Sequence, residues 1–270
     1  MSAAIDTIER MFEHGGMSSA AVLTADRVGA ALAETALAET ARAETALAEG
    51  GHGHDTVEQL QARIRAMQAT KLDSRVIPTH PAIAGLLPGG GLKLGAVYSV
   101  ERSAMLLMTL LAGPSAAGAW CAVVGVPEFG VEAAQRFGID LERLVLVPRP
   151  GDDWLAVTAA IADVMGVVVT RPPKRATDSN IARLSARLRQ RGATLLVLGN
   201  WPQSEAMLSL SDSEWHGIGD GHGHLSAREV TVTVTSRVAG RPRSARLWLP
   251  DADEVVRQSS PGVRELRATG

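Results

Sequence analysis

The sequence predicts an α/β fold in which a mostly parallel sheet is flanked by helices. From Pro88 onward, short apolar runs alternate with segments of helical periodicity, which is the pattern of consecutive βαβ units. The run Trp120–Val126 contains no polar side chain, as expected of a strand that is buried on both faces of a parallel sheet. The chain of 270 residues is long enough for one such domain and an appendage.

The predicted elements follow one another through short connections. A Gly-rich turn at 89–91 leads into a first strand at 95–100 and a first helix at 104–112. Strands are then predicted at 120–126, 144–147, 166–170 and 194–198, and helices at 131–137, 152–163 and 178–191. Asp152 or Asp153 is expected to cap the second of these three helices. A loop rich in Ser, Gly and His is expected at 203–226, followed by a hairpin of strands 229–238 and 245–249 with one face toward solvent.

Three regions are predicted along the chain. Residues 1–75 form an N-terminal helical extension, residues 76–250 form the α/β core, and residues 251–270 form a polar, loosely held tail. Within the extension, short helices are expected at 5–14 and 56–73, and the second has an apolar stripe that should dock on another surface. Pro78 and Pro81 mark an extended linker into the core.

A low-complexity insert occupies about residues 29–55. Residues 31–50 read ALAET, ALAET, ARAET and ALAEG, and a period of five advances a helix by about 500°. The repeated Leu side chains therefore spiral round the helix and give no continuous face to bury. We expect a solvated helix or a disordered insert rather than a partner-binding helix, and its deletion should leave function intact.

Composition excludes several classes of protein. The formal net charge of −2 predicts no strong overall attraction to nucleic acid or to a membrane surface. Cys121 is the single cysteine, which rules out an internal disulfide or a thiolate zinc site and fits a cytoplasmic protein with this thiol buried in a strand. The apolar stretch 105–126 contains Gly113 and Pro114, so it is predicted to be helix, turn and strand rather than a membrane span. Acidic residues at the N-terminus give no sign of a signal peptide.

The predicted loop at 203–226 carries His216, Asp220, His222 and His224. Such side chains can bind zinc, but alternate spacing in a loop holds them poorly in place, so no metal is expected. No Lys or Arg occurs between Trp201 and Ala227, and the acidic residues there oppose contact with phosphate.

Two groups of basic residues stand out. Three lie along the predicted helix 178–191 and three lie around the predicted hairpin turn: Arg183, Arg187 and Arg191, and Arg241, Arg243 and Arg246. Each group is either a solvated basic face or a docking face for an acidic partner or DNA, and the sequence leaves both readings open.

Three segments carry a resemblance to a known family. LPGGGLKLGAVYSVE (87–101), WCAVVGV (120–126) and AAQRFGIDLERLVLVPRP (133–150) resemble the core of RecA-like recombinases. More closely, they resemble ImuA, the RecA-related accessory protein of bacterial SOS mutagenesis, in its actinobacterial ImuA-prime form. The resemblance runs from about Thr79 to Leu249 and implies a RecA-like core.

RecA-like ATPases place a phosphate-binding loop, GxxxxGK[ST], after the first strand. Its Lys binds the β- and γ-phosphates, and its Ser or Thr holds Mg²⁺. The aligned positions of the two glycines are Ser99 and Ala104, the Lys position is Met105, and the Mg²⁺ ligand position is Leu106. The loop is therefore degenerate, and the apolar Met105 and Leu106 suggest that the former phosphate cradle is packed.

The other ATPase positions are also changed. The acid expected at the end of the Walker B strand falls at Thr170, and the phosphate-sensing glutamine falls at Trp201. Glu128 lies one residue out of step with the water-activating glutamate. We therefore expect no catalytic residue, no cofactor and no metal, because this chemistry depends on positioning and charge neutralisation.

The resemblance also implies partners. They are an ImuB-like, Y-family-related adaptor and, through it, an error-prone replicative-type polymerase and the sliding clamp, with RecA as a further partner and recruitment to the nucleoid at damage. Our leading hypothesis is a non-catalytic accessory protein of translesion synthesis, with helix 56–73 and the tail as docking elements. The alternatives are a regulator of RecA filaments and a RecA paralogue that binds DNA or nucleotide weakly.

Overall fold

The computed structural model describes residues 21–22, 76–101, 103–219, 222–237, 240–259 and 264–265. The predicted helices 5–14 and 56–73 and the repeat 31–50 lie outside the described residues, as does Arg102. The strands are, in chain order, β1 (Ala21–Val22), β2 (Val76–Pro78), β3 (Gly91–Lys93), β4 (Val97–Val100), β5 (Cys121–Val124), β6 (Leu144–Val147), β7 (Val167–Thr170), β8 (Thr194–Leu198), β9 (Ala206–Gly219), β10 (His222–Ser236), β11 (Arg243–Trp248), β12 (Arg257–Gln258) and β13 (Arg264–Glu265).

A mixed sheet forms the centre of the molecule. Six strands run parallel and lie side by side in the order β6, β5, β7, β8, β4 and β9. β1 adds a further parallel strand next to β6. β10, β11 and β12 extend the other end antiparallel, with β13 also paired to β11. The first strand of the βαβ series, β4, thus lies inside the sheet with crossover connections around it. This confirms the predicted α/β fold class with a mostly parallel sheet.

Helices cover both faces of the sheet. They are α1 (Pro81–Ala84), α2 (Ala104–Ala116), α3 (Val131–Arg136), α4 (Trp154–Ile161) and α5 (Asp178–Arg191). α2 and α3 pack on one face through a core that includes Leu110 and Val169, whereas α4 and α5 pack on the other through a core that includes Val157 and Val168. Neighbouring residues of β7 therefore point to opposite layers, as the pleat of a strand requires.

Local chemistry defines the ends of α5. The Thr177 side chain accepts a hydrogen bond from the Asn180 backbone N–H at the start of the helix, and Gly192 ends it in the left-handed conformation with φ of 71°. Ile181, Leu184 and Leu188 form its buried stripe. These signals are all local, which explains why the predicted bounds of this helix match the observed ones.

The apolar stretch 105–126 divides into α2 and β5, as predicted. Cys121 is buried in β5, and this burial raises the pKa of its thiol to about 12. No helix in the described part of the chain is long and apolar enough to cross a bilayer.

Two short segments differ from expectation. The helix predicted at 152–163 begins with a 3-10 turn at 151–153 and becomes α-helical at Trp154, and neither Asp152 nor Asp153 provides a side-chain cap. The segment around Pro78, predicted as a linker, forms β2, which pairs antiparallel with β3.

The prediction of a loop at 203–226 is wrong for most of that segment. Residues 206–219 and 222–236 are the two long strands β9 and β10, which pair antiparallel with irregularities between Gly223 and Ala227 and between Glu229 and Thr231. Alternation of buried Val230, Val232 and Val234 with partly exposed Thr residues confirms the expected solvent-facing side of β10. The distal half is exposed and needs no apolar alternation, so the residue pattern carried no strand signal.

A loosely held tail was predicted from residue 251 onward, but the structure holds the first residues of this segment in place. Asp251 and Val256 are buried, and β12 continues the sheet at Arg257. The Asp251 carboxylate accepts hydrogen bonds from the backbone N–H groups of Asp253 and Val255, at 2.9 Å each, and from the Arg257 guanidinium at 2.5 Å. The buried carboxylate of Asp251 therefore holds the polar segment 251–257 in place.

Candidate functional site

The end of β4 is tied to the segment that follows β8. Ser99 is fully buried, and its Oγ accepts a hydrogen bond from the Trp201 backbone N–H at 2.9 Å and donates one to the Trp201 carbonyl at 3.4 Å. A phosphate-binding loop needs glycine at this position so that the backbone can approach the ligand. Here the side chain of Ser99 joins two parts of the protein.

An acidic residue lies in the turn between β4 and α2. The Glu101 backbone N–H donates to the Leu208 carbonyl at 2.9 Å, and the Leu210 N–H donates to Glu101 Oε2 at 2.5 Å. Glu101 thereby fastens the turn to β9. Its negative charge stands where a phosphate-binding loop would receive an anion, and like charges repel.

The start of α2 is capped from within the chain. Ser103 Oγ accepts from the Leu106 backbone N–H at 3.3 Å, so one of the free N–H groups of this helix end already has a partner. Leu106 is fully buried, and Met105 packs against the same core. The positions that would hold a phosphate-binding Lys and an Mg²⁺ ligand therefore carry apolar packing.

A cleft of about 480 Å³ lies beside this turn, so the space next to the start of α2 is only partly filled. It is lined by Glu101, Ser103, Ala104, Met105, Leu210, Ser211, Asp212, Ser213 and Arg228. The Arg228 Nε donates to Ser213 Oγ at 2.9 Å, and the guanidinium carbon lies 5.4 Å from the centre of the Trp215 ring. One arginine faces two carboxylates here, a balance that gives a polyphosphate no electrostatic advantage.

Thr170 lies on the far face of the sheet from α2. Its Oγ1 is 3.3 Å from Thr158 Oγ1 in α4, and Thr158 Oγ1 donates to the Trp154 carbonyl at 2.6 Å. Both threonines are fully buried. The position assigned from the sequence to the lost Walker B acid is thus part of the α4 layer and has no access to the α2 turn.

The side chain after β7 on the α2 face is Arg171, which the sequence analysis did not identify. Its backbone N–H still donates to Val124, which extends the strand alternation by one residue. The Arg171 guanidinium donates to Glu128, in the loop that leads into α3, and this hydrogen bond lowers the pKa of the Glu128 carboxyl. A cation paired with an acid thus stands at the end of β7 on the α2 face. Extending the predicted strand by one residue beyond Thr170 would have identified Arg171.

Trp201 is buried on the α4 face as well. Its ring meets the Trp154 ring edge to face, with centroids 6.5 Å apart and an interplanar angle of 89°. The residue at the phosphate-sensing position therefore stabilises the packing of α4.

The basic residues of α5 are exposed, but two of them have an internal partner. Arg187 and Arg191 both pair with Asp163, which follows α4, whereas Arg183 is exposed further up the helix. The three residues share one helix face, as predicted, and part of its charge is used to join α5 to α4.

The second basic group is dispersed. Arg243 donates to the Gly85 carbonyl at 3.4 Å, and Arg246 pairs with Glu229 at 2.9 Å and with Glu214 at 3.3 Å. Arg241 is exposed at the turn. The structure does not bring Arg241, Arg243 and Arg246 into one surface.

Of the residues weighed for metal binding, His216 lies near two carboxylates. Single ligand atoms of Glu214, His216 and Glu229 lie within 4.8 Å of one another. Arg246 already pairs with both carboxylates and supplies the positive charge that a metal would bring. The side chains of Asp220, His222 and His224 lie outside the described residues.

Comparison with known proteins places this site in a family. The model of the MT3502 N-terminal domain matches residues 85–203, which include β4, α2, Thr170 and Arg171. The protein Rv3395c of Mycobacterium tuberculosis is 33% identical over 189 residues, a match that covers 68% of this chain and 83% of that protein.

Solved structures are similar at the level of the fold. A KaiC-like protein of Pyrococcus horikoshii matches with 14% identity and a TM-score of 0.47, over 69% of this chain and 99% of that chain. The flagellar accessory protein FlaH of Methanocaldococcus jannaschii matches with 12% identity and a TM-score of 0.41, over 67% of this chain and 93% of that chain. At such scores the likeness carries no conclusion about function. The identity to Rv3395c and its coverage do show the family: the chain belongs to the family of Rv3395c, and its residues 85–203 match the model of the MT3502 N-terminal domain.

Proposed function

We propose that this protein is a non-catalytic scaffold of the SOS-induced translesion synthesis complex, in which it binds an ImuB-like adaptor. The observation that carries the non-catalytic part is the α2 turn, where apolar Met105 and Leu106 stand in place of the phosphate-binding Lys and the Mg²⁺ ligand. Catalysis of phosphoryl transfer depends on such charges, and nothing else in the turn replaces them among the described residues.

The Arg171–Glu128 pair supports the same proposal. An Mg²⁺ ion would meet the Arg171 guanidinium at the end of β7, and cation repulsion opposes its binding there. Thr170 cannot act instead, because its side chain is fixed to Thr158 on the opposite face.

The partner is proposed from the resemblance of residues 79–249 to ImuA. Through the adaptor, the chain would reach an error-prone replicative-type polymerase and the sliding clamp. A scaffold needs a stable surface rather than a reaction centre, and the fold here retains a fully packed core on both faces of the sheet.

The test is pairwise binding of the full purified chain to the ImuB-like adaptor of the same bacterium, with RecA as a parallel analyte. The proposal predicts saturable adaptor binding without nucleotide. A variant that lacks residues 31–50 is the control, and its affinity should equal that of the wild type. A failure of the wild-type chain to bind the adaptor contradicts the proposal.

The cleft beside the α2 turn favours one alternative function, that of a RecA paralogue that binds nucleotide or DNA weakly. Its volume of about 480 Å³ would admit a small ligand, and Arg228 provides one cation. The alternative predicts that nucleotide raises the temperature of unfolding, because a ligand of the folded state stabilises it. A second alternative, regulation of RecA filaments, predicts inhibition of strand exchange at sub-stoichiometric amounts, with no need for the mutagenic polymerase.

A further inference from the structure

The distal half of the β9–β10 hairpin extends past the strands on both sides of it. We call residues 211–219 and 222–227 the arm. β4 pairs with β9 only at Ala206 and Met207, and the β11 ladder on β10 runs only from Glu229 to Val234. Within the described part of the chain, no strand lies beside the outer edge of β9 along the arm. An open edge of this kind is a template for pairing with another chain.

Large apolar side chains are exposed on the arm. The exposed fraction is 45% for Trp215, 61% for Ile218 and 50% for Leu225. Elsewhere in the described chain, exposed large apolar side chains occur only singly, at Val76 and Val255. Concentration of apolar surface on one projection is typical of a binding element rather than of ordinary surface scatter.

Both faces of the arm are exposed. Glu214 and Trp215 are neighbours on β9 and both are exposed, and neighbouring residues of a strand point to opposite faces. Arg228 is the cross-strand neighbour of Trp215, and its guanidinium lies over the indole ring. A flat partner surface would cover only one of these faces, whereas a cleft would cover both.

The charge of the arm selects the partner. Its sequence contains two acidic residues, Asp212 and Glu214, and no Lys or Arg. Such a segment repels nucleic acid and anionic lipid headgroups and attracts Lys and Arg side chains.

We infer that the arm enters an apolar cleft, rimmed by Lys and Arg, on a partner protein, with the edge of β9 open to strand pairing. This inference rests on the proposed function for the identity of the partner, which is the adaptor. The arm itself is defined without it, by exposed apolar side chains, acidic charge and an open strand edge.

The experiment measures the affinity of the full chain and its variants for the ImuB-like adaptor. The double variant Ile218→Ser/Leu225→Ser should bind the adaptor at least about ten-fold more weakly, because exposed apolar anchors of this kind dominate the binding energy. Val255→Ser is the matched control, since Val255 is also 50% exposed but lies outside the arm. It should change the affinity by less than about two-fold. Asp212→Asn should weaken binding and reduce its dependence on salt concentration.

A second probe separates the arm from the choice of partner. A synthetic peptide of alternating Val and Lys should bind the wild-type chain but not the Ile218→Ser/Leu225→Ser variant, and a Val and Glu peptide should bind neither. If the adaptor fails to bind but the Val and Lys peptide binds through the arm, the proposed function is wrong and the arm inference stands. If the adaptor binds both forms equally, the arm inference is overturned and the proposed function stands.

The same variants test whether the arm instead binds a second copy of this chain or binds nothing. Sedimentation that shows a wild-type dimer and a monomeric arm variant would assign the arm to a second copy of this chain and overturn the inference. Binding of neither the adaptor nor the Val and Lys peptide would overturn it as well.

Discussion

Thr170 Oγ1 lies 3.3 Å from Thr158 Oγ1, and both hydroxyls are buried between β7 and α4. This contact holds the side chain of Thr170, the position aligned with the Walker B acid, on the far side of the sheet from α2. It also predicts what an acid at this position would do.

The Thr170→Asp variant should lower the free energy of unfolding by about 3 kcal/mol at neutral pH, because a buried carboxylate without a positive partner is costly. Burial raises the pKa of such a carboxyl, so the loss should shrink as pH falls toward the ordinary Asp range. Thr170→Val, which removes only the hydroxyl, should cost about 1 kcal/mol. Denaturant unfolding at several pH values measures all three forms. A neutral or stabilising Thr170→Asp would show that this side chain reaches solvent or a cation.

The Arg171–Glu128 pair makes a prediction about titration. The hydrogen bond from Arg171 holds the pKa of Glu128 below its ordinary value, so Arg171→Ala should raise that pKa toward the ordinary Glu range. Carbon-detected NMR of the Glu128 carboxyl measures the change. Arg183→Ala, on the exposed side of α5, is the control and should leave it unchanged. An unaltered Glu128 titration in Arg171→Ala would mean that the pair is not formed in solution.

Asp251 links acid stability to the C-terminal segment. Burial alone would raise its pKa, but hydrogen bonds from Val255, Arg257 and Asp253 outweigh burial and lower it. A lowered folded-state pKa gives stability that is present above the unfolded-state value, about 3.9, and is lost as pH falls through the folded value. Asp251→Asn should therefore cost about 1–2 kcal/mol at neutral pH.

This difference between Asp251→Asn and the wild type should vanish in acid, when the wild-type carboxyl is protonated. Denaturant unfolding measures it from neutral pH to below the ordinary Asp pKa. A cost that does not depend on pH would assign the effect to shape rather than to charge.

Gly113 allows α2 to approach the segment after β2. A Cβ at this position would lie 2.5 Å from the Thr79 Cα and backbone carbon, which real structures do not tolerate. Gly113→Ala should therefore destabilise the protein by about 2 kcal/mol, although Ala normally favours helix. Gly166→Ala, whose Cβ would meet its nearest neighbour at an ordinary 3.6 Å, should cost much less. Thermal unfolding compares the two variants, and equal melting temperatures would contradict the observed helix position.

The sequence predicts the elements whose signals are local or periodic. Residues 144–147, 178–191 and 194–198 have the predicted bounds, because apolar runs and helix caps define them directly. The arm was not predicted, since a ribbon exposed on both faces is held by backbone pairing and requires no apolar alternation. The Arg171–Glu128 pair was also missed. It depends on which face a side chain takes at the end of a strand, and a shift of one residue reverses that face.

The proposed scaffold role requires that the α2 turn bind no nucleotide. Titration calorimetry of the full chain with Mg²⁺ and ATP, with released phosphate assayed in the same samples, tests it most directly. We expect no saturable binding up to about 1 mM ATP and no phosphate release above the buffer rate. Binding with a Kd near about 1 μM, together with turnover, would contradict it and would make Met105 and Arg171 part of an unrecognised catalytic site.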